Sequence, residues 1–210
     1  MRGAFITLEG TEGVGKSTGL AAIERCVESL GHAVVLTREP GGTDLGERIR
    51  EWVLHGNHAD LSADVEALLM FAARRHHLEH VIVPALDRGD WVVCDRFTDA
   101  TLAYQGGGKG LDERFLSCLA DRVHGGVTPD LTLLLDAPVD VGLARIGDRE
   151  PDHFEREGVA FFERVRRAYL RIAAENPERV RVVDASAARE DVLQQLRDTV
   201  MRFAQEFAAR

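Results

Sequence analysis

Short apolar runs alternate along the chain with longer stretches in which apolar residues recur at helical spacing. Each apolar run has the length of a buried strand, and the longer stretches have the length of helices. Strands separated by helices predict βαβ units, and therefore one five-stranded parallel sheet with helices on both faces. The predicted strands are Ala4–Leu8, Ala33–Thr37, Trp91–Cys94, Leu131–Leu135 and Val180–Val183, and the predicted helices lie near residues 16–30, 44–55, 63–87, 98–105, 111–124, 139–147, 155–175 and 189–208.

Composition narrows the class of protein. The 210 residues carry a net charge of −9 and contain no long block of Lys and Arg, which argues against nucleic acid or an anionic membrane as a partner. The three cysteines are widely spaced and lack metal-site spacing, as expected of reduced thiols in a cytoplasmic protein. We predict a single domain over residues 1–210, because no linker or repeat divides the chain.

A glycine-rich segment follows the first apolar run and opens the first predicted helix. It matches G-x-x-x-x-G-K-[ST], in which backbone N–H groups cradle phosphates, the lysine reaches the β- and γ-phosphates, and the serine hydroxyl binds Mg²⁺. A flexible turn with a chance lysine is the alternative, but the flanking strand and helix favour a loop that binds ATP. The residues are Gly10, Thr11, Glu12, Gly13, Val14, Gly15, Lys16, Ser17 and Thr18.

Charged residues follow the second and third predicted strands, at the sheet edge where such folds bind ligands. Arg38 precedes a proline and two glycines that predict a turn, so its planar fork could take a phosphate. A surface arginine in a structural turn remains the alternative. Asp95 ends a buried strand, where a carboxylate commonly binds Mg²⁺ directly or through water, and Arg96 adds a cation to the same cleft.

Two further segments are suited to a nucleobase. Tyr104 and Gln105 precede three glycines and offer an aromatic edge and an amide. On the predicted helix 63–87, Met70 and Phe71 each share a face with Arg74, so that an apolar side chain and a guanidinium could hold a base together. For Phe71, membership of an apolar core stripe is an equally good interpretation.

A charged segment at about 147–157 joins two predicted helices. It contains Gly and Pro together with several arginines and carboxylates, a composition typical of a lid that excludes water during phosphoryl transfer. An ordinary solvated loop has the same composition, so both interpretations stay open.

These motifs together resemble the thymidylate kinase family, of the P-loop nucleoside-monophosphate kinase fold, from about residue 3 to about residue 205. The resemblance implies transfer of the γ-phosphoryl group of ATP to dTMP with Mg²⁺ bound by Ser17 and Asp95, in a homodimer. It implies that Arg38 and Arg96, helped by Arg50, hold the dTMP phosphate and that Arg74 binds thymine. It further implies that Thr101 and Gln105 line the base pocket, that Tyr104 lies against the sugar, and that Glu12 lies near the sugar and phosphate.

Two positions depart from the family pattern. Met70 stands where an aromatic residue usually lies four residues before the base-binding arginine, with Phe71 one residue late. The phosphate loop carries no arginine, which resembles bacterial members with lid arginines, yet His153 stands where a lid arginine is expected. We therefore predict Arg149 as the transition-state cation and place Arg145 near adenine. A kinase for another nucleotide or deoxynucleoside, or a nucleotide-dependent switch, are the alternative functions.

Overall fold

A five-stranded, all-parallel sheet forms the centre of the protein, whose computed structural model describes residues 2–56, 61–146 and 153–209. Its strands run in the order β2-β3-β1-β4-β5. Since β1, β2 and β3 are parallel neighbours in this order, their carboxyl ends lie side by side at one edge of the sheet. The strands are β1 (Phe5–Glu9), β2 (Val34–Arg38), β3 (Trp91–Asp95), β4 (Leu131–Asp136) and β5 (Val180–Asp184). The predicted fold class is confirmed.

Helices cover both faces of the sheet. In the described ranges they are α1 (Lys16–Ser29), α2 (Asp44–His55), α3 (Ala63–His77), α4 (Val83–Arg88), α5 (Thr98–Thr101), α6 (Glu113–His124), α7 (Val139–Ile146), α8 (Val159–Glu175) and α9 (Arg189–Ala208). None of these helices combines the length and the apolar character that a membrane crossing requires.

The alternation of side chains along each strand divides the core between the two faces. Ile6 and Leu8 pack in one cluster with residues of α1 and α9, such as Ile23 and Leu196. Phe5, on the opposite face, packs with residues that lead into and form α4. Residues of α8 cover the rest of that second face. The central strands are therefore buried on both sides and hold the loops at their carboxyl ends in fixed positions.

Three of the predicted helices are wrong as single regular helices. The helix predicted over 63–87 is α3, a π-helical turn over Leu78–Ile82, and then α4. Pro84 at the start of α4 has no N–H to donate, which removes one α-helical hydrogen bond at this point. The stretch 98–105 is α5 followed by a π-helical segment over Leu102–Gly108, and α8 begins only after Gly158, whose φ is 83°. Apolar periodicity of 3.6 residues does not register such insertions.

Candidate functional site

The phosphate loop connects β1 to α1 through glycines with positive φ, at Gly10 (139°), Gly13 (72°) and Gly15 (92°). Residues with a Cβ rarely adopt these conformations, so the glycine pattern is a requirement of the loop's path. Lys16, the first residue of α1, folds back over the loop. Its Nζ donates to the carbonyl oxygens of Gly10 (3.1 Å) and Thr11 (2.6 Å).

The loop also packs directly against the backbone of α7. A Cβ on Gly13 would lie 1.9 Å from the carbonyl oxygen of Gly142, and a Cβ on Gly142 would lie 2.5 Å from the carbonyl oxygen of Glu12. Two glycines facing each other are therefore needed for this contact. The sequence motif identifies Gly13 but gives no indication of its partner on α7.

Burial and, to a smaller extent, the positive charge of Arg96 together lower the pKa of Lys16 to about 8, while the charges of Glu12 and Asp95 oppose the change. The ammonium group is thus surrounded by carbonyl dipoles and by too little negative charge to hold its proton firmly. A polyanion in the loop would supply that charge.

A cavity at the carboxyl edge of the sheet, called here the arginine cavity, combines cations with apolar walls. It opens between the phosphate loop, β2, α2, α3 and the segment that follows β3. Its lining residues are Glu12, Glu39, Pro40, Arg50, Leu54, Met70, Arg74, Arg96, Phe97, Ala100, Thr101, Tyr104, Gln105 and Phe154. Most of the predicted substrate residues therefore come together here.

Arg74 is almost completely buried in the wall of this cavity. Its Nε donates to Glu39 Oε2 (2.7 Å), and its Nη2 donates to Thr101 Oγ1 (3.0 Å) and to the carbonyl oxygen of Phe97 (3.1 Å). Among the described residues, only Arg74 Nη1 and Asp95 Oδ1 are buried side-chain polar atoms without a hydrogen-bond partner. An unsatisfied buried donor is costly, so Nη1 is suited to an acceptor on a ligand.

Met70 and Phe71 occupy different environments. Met70 lines the arginine cavity, whereas Phe71 packs in a core cluster with Leu116 of α6 and lies outside the cavity lining. The Phe71 ring lies 4.8 Å from the Arg74 guanidinium carbon and so supports that side chain.

Arg96 enters the cavity from a backbone corner with a φ of 67°, a value that a non-glycine residue rarely adopts. Its Nη2 donates to Glu12 Oε1 (2.8 Å), and its guanidinium carbon lies 4.8 Å from the centre of the Tyr104 ring. Tyr104 Oη in turn donates to the Glu12 carboxylate at 2.7 Å and 2.8 Å. The predicted residues Glu12, Arg96 and Tyr104 thus form one network.

Glu9, which is not among the residues predicted from the sequence, supports the backbone corner at Arg96. Its Oε1 accepts the backbone N–H of Phe97 (2.7 Å), and its Oε2 accepts the hydroxyl of Tyr169 (2.8 Å). Complete burial and the nearby charge of Asp99 raise the pKa of Glu9 to about 8, against the opposing charge of Arg96. Glu9 ends the apolar strand β1, so the sequence pattern predicts a core position there and gives no indication of its contacts with Phe97 and Tyr169.

A second cavity contains Ser17, Arg38 and Asp95. Arg38 is paired there with Glu47, which accepts from its Nη2 at 2.7 Å and from its Nε at 3.3 Å. Arg38 and Arg96 therefore line different cavities, although both are close enough to Arg50 to influence it. Burial lowers the pKa of Arg50, and the positive charges of Arg38 and Arg96 lower it further.

A third cavity lies on the other side of the phosphate loop. It is lined by Gly13, Val14, Gly15 and Thr18 together with Arg145 and residues that follow β5. Arg145 is fixed there, because its Nη1 donates to the carbonyl oxygen of Ala185 (2.9 Å). The predicted residue Arg145 therefore lies beside the phosphate loop.

The structure describes only the C-terminal part of the predicted lid, from residue 153 onward. Arg149 lies outside the described residues, so its role stays a prediction. His153, within the same segment, lies beside the buried carboxylate of Glu66, with Nε2 2.9 Å from Oε1. Glu39 and Glu66 are two further site residues that sequence reasoning missed, since each meets its partner only through a long-range contact.

Comparisons with known proteins identify the family of the chain and support its fold. The thymidylate kinase family model matches residues 8–196. A thymidylate kinase of Alkalilimnicola ehrlichii is 52% identical over 95% of this chain and 93% of its own length. The thymidylate kinase of Cupriavidus metallidurans is 54% identical over 91% of this chain and 94% of its own length. The crystal structure of the thymidylate kinase of Ehrlichia chaffeensis is 33% identical, covers 96% of this chain and 98% of its own, and superposes with a TM-score of 0.77. The chain belongs to the thymidylate kinase family.

Proposed function

We propose that this protein transfers the γ-phosphoryl group of ATP to dTMP and releases dTDP and ADP. The observation that carries the proposal is the buried Nη1 of Arg74, which has no hydrogen-bond partner among the described residues; Arg74 lines a cavity together with Arg50 and Arg96. One buried donor with apolar walls suits the carbonyl of a flat base, and two more guanidinium groups suit the phosphate attached to it. Family membership supports the same substrate.

In this proposal the arginine cavity holds dTMP. Arg74 donates to thymine O4 between Met70 and the aromatic wall, and Thr101 keeps the guanidinium in place. Tyr104, held on Glu12, lies against the sugar. The phosphate is bound by Arg96 and Arg50, and Arg38 joins them by exchanging its exposed partner Glu47 for a phosphate oxygen.

The phosphate loop and the third cavity hold ATP. Backbone N–H groups of the loop and the N-terminus of α1 face the phosphates, and Lys16 leaves the loop carbonyls for a phosphate oxygen. Arg145 lies where adenine would continue from the loop.

Mg²⁺ fits the second cavity, because the buried Asp95 Oδ1 has no hydrogen-bond partner within the described residues and Ser17 lines the same space. Ser17 and Asp95 would hold the ion, which supplies charge neutralisation at the phosphates when bound. The chain's own cations act on the same charge: Lys16 at the loop and Arg96 at the acceptor stabilise the anionic transition state. No general base is required, since the attacking phosphate oxygen is already ionised.

We further propose that the protein is a cytoplasmic homodimer. The three cysteines are free thiols in the structure, which suits a reducing compartment.

Val65 and Leu68 expose apolar side chains on α3, at 42% and 48% of their full accessibility, and a second copy of the chain would cover them. Sedimentation equilibrium of the Leu68→Glu variant tests this: a dimer that persists unchanged removes α3 from the interface.

The activity is tested by a coupled assay for ADP release with dTMP, dUMP, dCMP, dGMP and thymidine as acceptors. We expect dTMP to be the preferred acceptor and Lys16→Ala to abolish turnover while leaving the circular dichroism spectrum unchanged. Turnover of thymidine in preference to dTMP would indicate a nucleoside kinase. ATP hydrolysis that is indifferent to dTMP would indicate a switch, and either result would overturn the proposal.

A further inference from the structure

A buried carboxylate behind the arginine cavity gathers three donors from separate parts of the chain. Glu66 lies on α3 and is completely buried. Its Oε1 forms an ion pair with Lys109 and accepts from His153 Nε2 (2.9 Å), and its Oε2 accepts from Gln105 Nε2 (3.1 Å). Glu66 is absent from the lining of the cavity, so its influence on a ligand passes through the residues it holds.

Gln105 is the member of this group that lines the cavity. A glutamine amide has a donor end and an acceptor end of nearly the same shape, and only its partners decide which end lies where. A carboxylate paired with Lys109 offers acceptors alone, so the end of Gln105 against Glu66 must be Nε2. The end left to bind a ligand as an acceptor is then Oε1.

Two residues that line the cavity therefore keep one group each for a ligand: Arg74 the donor Nη1, which has no partner among the described residues, and Gln105 the acceptor Oε1. Thymine and uracil present the complementary pair on one edge, with O4 as the acceptor and N3–H as the donor. Cytosine presents the reverse, with an amino donor at position 4 and an acceptor at N3. A flipped Gln105 amide would present a donor to position 3, which suits N3 of cytosine and opposes N3–H of thymine, while the Arg74 donor would still oppose the cytosine amino group.

We propose that Glu66 is a positioning residue that sets base specificity by fixing the orientation of the Gln105 amide. The proposal rests on the proposed function, because it refines how that same cavity tells one pyrimidine from another. Lys109 supports the arrangement by keeping the carboxylate paired, and it also lies 3.3 Å from Glu157 at the outer edge of the group.

The test compares two substitutions of Glu66, one that changes the polarity of the side chain at constant size and one that keeps the polarity but shortens the side chain. Glu66→Gln can accept from or donate to the neighbouring amide, so it permits both orientations of Gln105. Glu66→Asp remains an acceptor only and preserves the polarity even if packing suffers. We expect Glu66→Gln to raise the ratio of kcat/KM for dCMP to that for dTMP at least about tenfold, whereas Glu66→Asp and the control Glu157→Gln keep the ratio of the unmutated protein.

The outcomes separate this proposal from the function it rests on. If the unmutated protein turns over dTMP but both Glu66 variants change the two substrates in parallel, Glu66 is structural only and the proposal is overturned. If the unmutated protein does not use dTMP, the proposed function itself fails. Should Glu66→Gln not melt cooperatively, the unmutated protein and Glu66→Asp are titrated with N3-methyl-dTMP. At least tenfold weaker binding than dTMP is expected, and equal binding refutes an acceptor at Oε1.

Discussion

Binding of ATP should draw a proton onto Lys16. In the free protein burial and the charge of Arg96 lower the pKa of Lys16 to about 8, so at pH 8 the ammonium form is only about half populated. The phosphates bring several negative charges to the same atom and favour the protonated form. If the pKa returns to the ordinary lysine value near 10.4, binding takes up about 0.1 proton at pH 7, about 0.5 at pH 8 and about 0.9 at pH 9.

The same shift fixes the pH dependence of affinity. Because the uptake is small at pH 7 and nearly complete at pH 9, integrating it over that interval predicts that the Kd for ATP rises about tenfold. Above pH 7.5 the nucleotide is itself fully ionised and contributes no protons, which makes the alkaline range the informative one.

Isothermal titration calorimetry in two buffers of different ionisation enthalpy measures the uptake directly. Lys16→Arg is the matched control, because a guanidinium keeps its proton throughout this range. Any uptake left in Lys16→Arg belongs to other groups, among them Glu9, whose pKa is also about 8. Equal uptake by the two proteins at pH 8, or an ATP affinity independent of pH between 7 and 9, would contradict the reasoning.

Three further predictions follow from the environments of single residues. Met70→Ala should raise the KM for dTMP about tenfold, because it opens the arginine cavity. Phe71→Ala should chiefly lower the free energy of unfolding, by about 3–5 kcal/mol, because its ring lies in the core. Steady-state kinetics and urea unfolding of both variants check this. Arg145→Ala should raise the KM for ATP and leave the KM for dTMP unchanged, and a change in the latter alone would move Arg145 to the acceptor side. Glu9 binds its proton more tightly in the folded protein, since its pKa is about 8 there and about 4.3 in the unfolded chain. Its contribution to stability is therefore present below pH 4 and is lost as the pH rises to 8. Urea unfolding from pH 5.5 to 8.5 should show a decline in the free energy of unfolding, and Glu9→Gln should reduce that decline.

The parts of the site that one short segment encodes could be predicted from sequence. The phosphate loop is such a part, because the glycines that permit its positive φ values and the lysine that serves it lie within a few residues of one another. The strands of the sheet could be predicted for the same reason, since the apolar residues that indicate a buried strand are consecutive in the sequence. The family resemblance then added the residues that meet in the arginine cavity.

The supporting carboxylates could not be predicted this way. Glu39 meets Arg74 across 35 residues, and Glu66 meets Gln105 across 39. The first pair depends on how α3 packs against the segment that follows β2, and the second on how α3 packs against the π-helical segment Leu102–Gly108. A local pattern contains neither arrangement. The sequence alone does not decide between Met70 and Phe71 for the same reason, because the packing of α6 against α3 determines which side chain faces the cavity.

The carboxylate partners of the site arginines explain which cations stay fixed and which can move to a substrate. Arg74 and Glu39 are both almost fully buried, so separating them would leave an uncompensated charge at a cost of about 3–5 kcal/mol. Arg38 and Glu47 are about half exposed, and such a pair is worth about 0–1 kcal/mol. A doubly charged phosphate can therefore replace Glu47 on Arg38 at little cost, but no ligand can draw Arg74 from Glu39. The base-binding cation is thus fixed before the substrate arrives, while Arg38 is free to exchange its partner for a phosphate.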